Sequence, residues 1–514
     1  MLSKTRIAIS VCVLLSLVLG GALPVVGPAR TAQAQGVSEP FQFQPGPCLF
    51  EMPDGLTEGD DIECGTVTVP ELHAQPDGAT IDLAVAVIKS TSASPAPDPV
   101  VYLEGGPGGN ALEGMPTSYP YIYAPFRDER DVIVFDQRGT GFSVPLLDCQ
   151  EYDDLFIATL PLDMTNEEYQ AGQIEAFTQC RDRLVSDGVN LAAYNSAENA
   201  ADLNAIRQAL GYEQWNLFGI SYGTRLALTA MRDQPDGIRS VILDSTLPLQ
   251  ADLYLDLIAH ADAAFATLFD ACAANPDCNQ SYPNLEQTFF DLVQRLDENP
   301  VTIPVIDLID GVQYDVLIDG DLMINVLFQL LYVTELLPYL PRIVNDASSG
   351  NYQLLAIVLG AFLSLSESIS EGMQFSVQCA EEAAFVSAEQ AAEAAAEHPA
   401  IGATFDLDNQ IFFLLCSTWG AAAVDGIENE PVVSDIPTPV LAGEYDPITP
   451  PAYGRLAAET LDNGYFFLFP GMGHGIVPSA HCAQQIALDF LEVPQEQPDA
   501  SCIANMEGPA FFTQ

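Results

Sequence analysis

The sequence predicts an α/β protein: a mainly parallel sheet of eight strands, interrupted between its sixth and seventh strands by a helical insertion. Three observations predict it. Short Val/Ile-rich or aromatic runs, bounded by turn residues, recur at 66–69, 81–88, 100–103, 132–135, 215–218, 240–243, 440–442 and 465–469. Helical periodicity alternates with the later runs, most clearly over 197–210 and 222–233. From 248 to 434 the strand signal fades and helical patterns take over, at 253–273, 285–296, 322–347, 354–365 and 388–397.

Each element follows from its residues. Lys4 and Arg6 precede an apolar run over 7–26, and Ala32-Gln33-Ala34 supplies a small-x-small cleavage pattern. Residues 1–34 are therefore read as a secretory signal peptide. An uncleaved membrane anchor is the alternative, weakened by Gly20, Gly21 and Pro24. No later segment is read as a membrane span. Residues 35–247 form the first part of the core. There the runs at 66–69 and 81–88 can pair as a hairpin across the Pro/Asp/Gly-rich stretch 75–79. The later runs are almost wholly apolar, as parallel strands buried on both faces require. Residues 248–434 form the insertion, a helical lid. Its segment 354–365 is apolar nearly all round, which predicts burial between helices. Residues 435–514 return to the core.

Cysteine usage agrees with export. Setting aside Cys12, ten cysteines remain, and they fall into sequence neighbours: Cys48/Cys64, Cys149/Cys180, Cys272/Cys278, Cys379/Cys416 and Cys482/Cys502. Five disulfides on that scheme suit an oxidising compartment. The charge is extreme, with 71 Asp plus Glu against 16 Lys plus Arg and a net charge of −55. Such a field excludes nucleic acid as a partner and repels anionic membranes. It attracts cations, including a peptide's free ammonium end. The plainer reading of the charge is solubility in a salty or acidic habitat.

Four motifs carry chemistry. Gly219-Ile220-Ser221-Tyr222-Gly223 joins a predicted strand to a predicted helix, the setting of a nucleophile elbow in an α/β-hydrolase fold. A serine nucleophile needs a base, and the base an orienting carboxylate, in the chain order Ser, acid, His. Of five histidines only His474 and His481 lie far enough downstream. His474, in Gly471-Met472-Gly473-His474-Gly475, is the base, because His481 adjoins Cys482. Asp446, in Gly443-Glu444-Tyr445-Asp446-Pro447, is the acid, with Glu444 its competitor. Glu104-Gly105-Gly106-Pro107-Gly108-Gly109 follows the strand at 100–103 and can complete an oxyanion hole. The donors would be the N–H groups of Gly106 and Tyr222, because Pro107 has none. Asp136-Gln137-Arg138-Gly139-Thr140-Gly141-Phe142-Ser143 is either a plain polar turn or, through a buried Arg138, a brace for the active-site floor. No His-Glu-x-x-His or comparable metal spacing is present. No metal or cofactor is expected.

In this order and spacing, Gly-Gly-Pro-Gly, Asp-Gln-Arg-Gly-Thr-Gly-x-Ser and Gly-x-Ser-Tyr-Gly resemble the proline iminopeptidase and tripeptidyl aminopeptidase family of serine peptidases. The resemblance runs from about Cys48 to Cys502. It includes Gly372-Met373-x-x-Ser376-Val377-x-Cys379-Ala380-Glu381-Glu382, and it points to the secreted tripeptidyl-aminopeptidase-like branch. It implies release of short peptides or single residues from free N-termini. Proline iminopeptidases carry His where this chain has Glu104, which argues against strict single-proline release. The resemblance also implies that lid carboxylates bind the substrate ammonium, here Glu381 or Glu382, with Glu104 a further candidate. Two other readings keep the same scaffold: an esterase or amide hydrolase acting on small molecules, and a non-catalytic binding protein.

Overall fold

The computed structural model describes residues 41–513 apart from 310 and 366–368. The predicted signal peptide lies outside those residues. The first seven strands are β1 (Phe43–Gly46), β2 (Ile62–Pro70), β3 (Thr80–Ile88), β4 (Val100–Leu103), β5 (Val132–Phe135), β6 (Trp215–Ile220) and β7 (Ile238–Asp244). β8 (Val301–Ile306) and β9 (Gln313–Ile318) follow, then β10 (Thr438–Gly443) and β11 (Gly464–Phe469). The main sheet has nine strands in the order β1-β2-β3-β5-β4-β6-β7-β10-β11. From β5 to β11 every neighbouring pair is parallel. The β2–β3 hairpin is antiparallel, pairing Ile62 with Ile88 and Pro70 with Thr80.

The sheet is mainly parallel, as predicted, and β4, β5, β6 and β10 are buried at every position. The ninth strand, β1, adds to the edge beside β2. Its sequence, Phe-Gln-Pro-Gly, is short and largely exposed, so it carries neither an apolar run nor clean alternation.

Between β7 and β10 the chain is mostly helical but not wholly so. β8 and β9 form a separate antiparallel hairpin there. Strand β8, Val-Thr-Ile-Pro-Val-Ile, alternates buried and exposed side chains but contains Pro304, which hid it. The helix expected over 322–347 is divided into Gly320–Tyr332, a 3-10 turn at Thr334–Tyr339, and Leu340–Ser348. Pro338 and Pro341 impose the break, because neither can donate to the preceding turn. Helix Gln353–Leu365 packs one face against β8 and leaves Ile357 53% exposed, so it is not enclosed on all sides. Helix Leu253–Ala274 corrects the reading that no later segment could span a membrane. It is long and apolar enough to do so by length and composition. Here it buries Ile258, Ala261, Leu268 and Cys272 in the core of the insertion.

The structure forms five disulfides, Cys48–Cys64, Cys149–Cys180, Cys272–Cys278, Cys379–Cys416 and Cys482–Cys502. Cys379–Cys416 ties helix Glu371–Glu381 to helix Gly402–Trp419.

Candidate active site

The carboxyl ends of the parallel strands converge on Ser221. Strand β6 ends at Ile220, and helix Tyr222–Asp233 begins two residues later. Ser221 sits between them with φ 59° and ψ −127°, a conformation that costs a non-glycine residue roughly 1–3 kcal/mol. Close packing sustains it. A Cβ on Gly219 would clash with the Gly223 carbonyl, and a Cβ on Gly223 would clash with the Leu103 carbonyl. Both positions must therefore be glycine for strand, turn and helix to approach this closely.

His474 and Asp446 come together. Nδ1 of His474 lies 2.8 Å from Oδ2 of Asp446, and Oγ1 of Thr449 donates to the same oxygen at 2.7 Å. Two more donors, the N–H groups of Ile448 and Thr449, reach Oδ1 of Asp446 at 3.1 and 2.9 Å. Burial opposes the Asp446 charge. The charge and hydrogen bond of His474, together with Thr449, outweigh it and hold the carboxyl below its ordinary value. With Nδ1 engaged by the carboxylate, Nε2 is the free ring nitrogen. It is buried and meets no partner among the described residues. The histidine loop is anchored beside Ser221. The backbone N–H groups of Ile476 and Val477 donate to the two oxygens of Asp244, at 2.9 and 2.8 Å. The N–H of Gly475 donates to Oγ of Ser245 at 2.8 Å. The backbone carbonyl of Asp244 also accepts the N–H of Ser221 at 3.1 Å. One residue at the end of β7 therefore braces both the serine turn and the histidine loop.

The glycine loop after β4 presses on the same serine. A Cβ on Gly105 would lie 3.1 Å from Cβ of Ser221. The N–H of Gly105 is taken by Oε1 of Glu104 at 2.9 Å, and that of Gly109 by the Gly105 carbonyl. Pro107 has no N–H, so Gly106 and Gly108 are the loop's remaining donors. Gly106, Tyr222 and Ser221 line one cavity of about 40 Å³.

A family described as alpha/beta hydrolase fold matches residues 98–300. The chain has the α/β-hydrolase fold. A second family, described as TAP-like protein, matches residues 404–502. The chain is 32% identical over 210 residues to a tripeptidyl aminopeptidase of Streptomyces coelicolor, covering 40% of this chain and 39% of that protein. It is 28% identical over 272 residues to the serine protease Hip1 of Mycobacterium tuberculosis, covering 51% of each. It is 31% identical over 228 residues to a carboxylesterase B of Mycobacterium tuberculosis, covering 42% of each. The chain thus spans about half or less of the length of these relatives.

Within this fold the three carboxylates considered for ammonium binding occupy different places. Glu104 is buried behind the glycine loop, where it accepts from Gly105 N–H and from the Tyr102 hydroxyl at 3.3 Å. Glu381 is buried against Arg225, at 3.0 Å, and also accepts from the N–H and hydroxyl of Ser196, at 2.6 and 2.8 Å. Glu382 shares the cavity wall with Ser221 and lies 3.1 Å from Nη1 of Arg225. Burial pushes its carboxyl up to about 7 against the pull of Arg225. Glu444 accepts from the N–H of Gly471, away from His474.

The Asp136–Ser143 motif is structural scaffolding with a purpose. Asp136 accepts from the N–H groups of Ala111, Leu112 and Phe142, and so fixes the glycine loop from behind. Fully buried Arg138 grips both oxygens of Asp202 at 2.8 Å and the carbonyls of Glu71 and Ala193. Sequence reasoning missed Asp244 and Arg225. Asp244 closes an apolar strand, a position where a carboxylate needs buried donors. Arg225 lies on the helix face that opens the Gly-x-Ser-x-Gly turn.

Proposed function

We propose that the protein is a secreted serine exopeptidase that hydrolyses peptide bonds near free N-termini, in the manner of tripeptidyl or prolyl aminopeptidases. Ser221 is the nucleophile, His474 the general base and Asp446 its orienting acid. The N–H of Tyr222 and a glycine near Gly106 stabilise the oxyanion. His474, with Nδ1–H donating to Asp446, takes the Ser221 proton at Nε2. Ser221 attacks the scissile carbonyl, the amine departs with that proton, and water hydrolyses the acyl-enzyme.

The observation that carries this reading is the buried Asp446–His474 pair, anchored through Asp244 to the strained Ser221 turn. The peptidase names of two relatives and the TAP-like match support peptides as substrates. The disulfides support an oxidising, extracytoplasmic location after removal of residues 1–34. The helices and hairpin of 248–434 act as the lid. Among the proposed ammonium ligands, Glu382 alone lines the Ser221 cavity.

The test compares wild type with Ser221→Ala on chromogenic mono-, di- and tripeptides, each with a free or blocked N-terminus. Wild type cleaves free peptides and spares blocked ones, and Ser221→Ala loses about 10⁶-fold in kcat. The carboxylesterase relative favours a second reading, hydrolysis of small esters by the same triad. Cleavage of simple esters alone would select it.

A further inference from the structure

A second cavity is roomier than the one at Ser221. It has a volume of about 130 Å³ and opens between helices Gln150–Thr159 and Asn166–Ser186 of the core and the helices of the insertion. That is room for on the order of ten waters, enough for an amino-acid residue. Nine of its 22 lining residues are Phe or Tyr, three are carboxylates, and none is Lys, Arg or His. Aromatic faces and carboxylates without a competing cation suit a positive group carried on an apolar body.

One helix connects this cavity to the serine. Gln374 and Gln378, one turn apart on helix Glu371–Glu381, line both cavities. Glu371 lines the large cavity, and Glu382, just past the helix end, lines the Ser221 cavity. The spacing 371, 374, 378, 382 keeps all four on one face. From Glu371 to Glu382 the helix rises about 16 Å, the length of roughly four to five extended residues. The carboxylates near Ser221 already have strong partners. Glu381 and Glu382 share Arg225. Glu371 accepts two backbone N–H groups, its own and that of Cys149 at 3.1 Å, and the charges acting on it, Asp148 and Asp153, are of its own sign. Burial, with Asp153, pushes its carboxyl well up, which a bound cation would reverse. A second, independent feature points to a ligand. Asn325 is 8% exposed and lines the same cavity, and its Nδ2 meets no acceptor among the described residues. A substrate carbonyl would satisfy it.

Building on the exopeptidase reading, we propose that the N-terminal segment of a peptide lies along the Glu371–Glu382 helix face, with its ammonium on Glu371 and its first side chain among the aromatic rings. Glu371 then measures the released peptide at about three to five residues, and Asn325 donates to its backbone.

The experiment reads binding without turnover. Phe-Ala-Ala amide, its N-acetyl form, and N-acetyl-Lys-Ala-Ala amide are titrated calorimetrically into Ser221→Ala protein. The free peptide binds at least tenfold tighter than either acetylated one. Adding Glu371→Gln, which keeps an acceptor for Cys149, reduces that preference below about threefold. Adding Asn325→Leu, which removes a polar group without a partner, weakens the free peptide about fivefold with Tm unchanged or raised. It keeps the question answerable if Glu371→Gln does not fold. Full discrimination in Glu371→Gln, or its loss in Glu382→Gln alone, overturns the assignment while leaving the exopeptidase reading standing. Equal binding of the acetyl-Lys peptide moves the site to side-chain cations and also overturns it. If wild type neither binds nor cleaves any free peptide, the exopeptidase reading fails and this inference falls with it.

Discussion

Two sets of buried carboxylates divide the molecule. At the carboxyl edge of the sheet, Asp136, Asp244 and Asp446 each accept two or more hydrogen bonds from backbone, hydroxyl or imidazole donors. At the large cavity of the insertion, Glu371 accepts only backbone N–H groups, its own and that of Cys149, while the amide nitrogen of Asn325 meets no acceptor among the described residues. Buried polar groups cost free energy unless paired. The first set therefore consists of groups whose partners are internal, and their work is to position. The second keeps unused bonding capacity beside an open volume, which suits groups whose partner arrives from outside.

The comparison can be broken first at its tightest point. Asp446→Asn keeps the shape of the side chain but offers an amide to His474 and favours the wrong ring tautomer. A loss of about 10⁴-fold in kcat is expected, with KM little changed. Steady-state kinetics on a tripeptide chromogen checks it. A loss under tenfold would shift the orienting role to Glu444 or elsewhere.

Two of the five disulfides lie within the insertion. By chain entropy, Cys379–Cys416, which closes a span of 37 residues, contributes about 4 kcal/mol, against about 2 kcal/mol for Cys272–Cys278, which closes 6. Replacing each pair with serines and comparing denaturation midpoints tests that ordering. The Cys379–Cys416 variant should also lose affinity for free tripeptides, because both of its helices wall the large cavity. The Cys272–Cys278 variant should not.

The next effect concerns pH. Glu382 is held near 7 in the folded protein by burial and titrates near 4.3 when unfolded. The folded state therefore binds more protons between those values, and stability falls as pH rises through them, by up to about 4 kcal/mol. Melting temperatures between pH 4.5 and 8 should show this decline, and Glu382→Gln should flatten it. An unchanged slope in the variant would mean that Glu382 is ionised throughout, as a full partner of Arg225.

The two regions also differed in how legible they were. The parallel strands announced themselves because burial on both faces demands unbroken apolar runs, and the serine turn because steric crowding demands Gly219 and Gly223. Helices Asn166–Ser186 and Glu371–Glu381 were not read. The first is largely polar outside its buried face, and the second is buried nearly all round, Gln374 and Gln378 included, so neither shows a clean apolar stripe. The β8–β9 hairpin was masked by Pro304. The large cavity could not be read at all, since it is assembled from residues between Tyr152 and Leu415 that no local pattern links.

The smallest expected effect tests the positioning role of Asp244, which touches no substrate. Its two oxygens hold the N–H groups of Ile476 and Val477, and its carbonyl holds that of Ser221. In Asp244→Asn one oxygen remains, while the new NH₂ faces a backbone N–H and repels it. The His474 loop should shift by a fraction of an ångström to one ångström, which costs up to about 10²-fold in kcat. KM should stay nearly constant, because the peptide-binding face lies on another element. A general loss of stability would lower the active fraction, whereas a displaced loop lowers turnover per active site. Fluorophosphonate labelling counts those sites and separates the two. Full labelling at a slower rate marks positioning; partial labelling at the wild-type rate marks unfolding and would reduce Asp244 to a structural group.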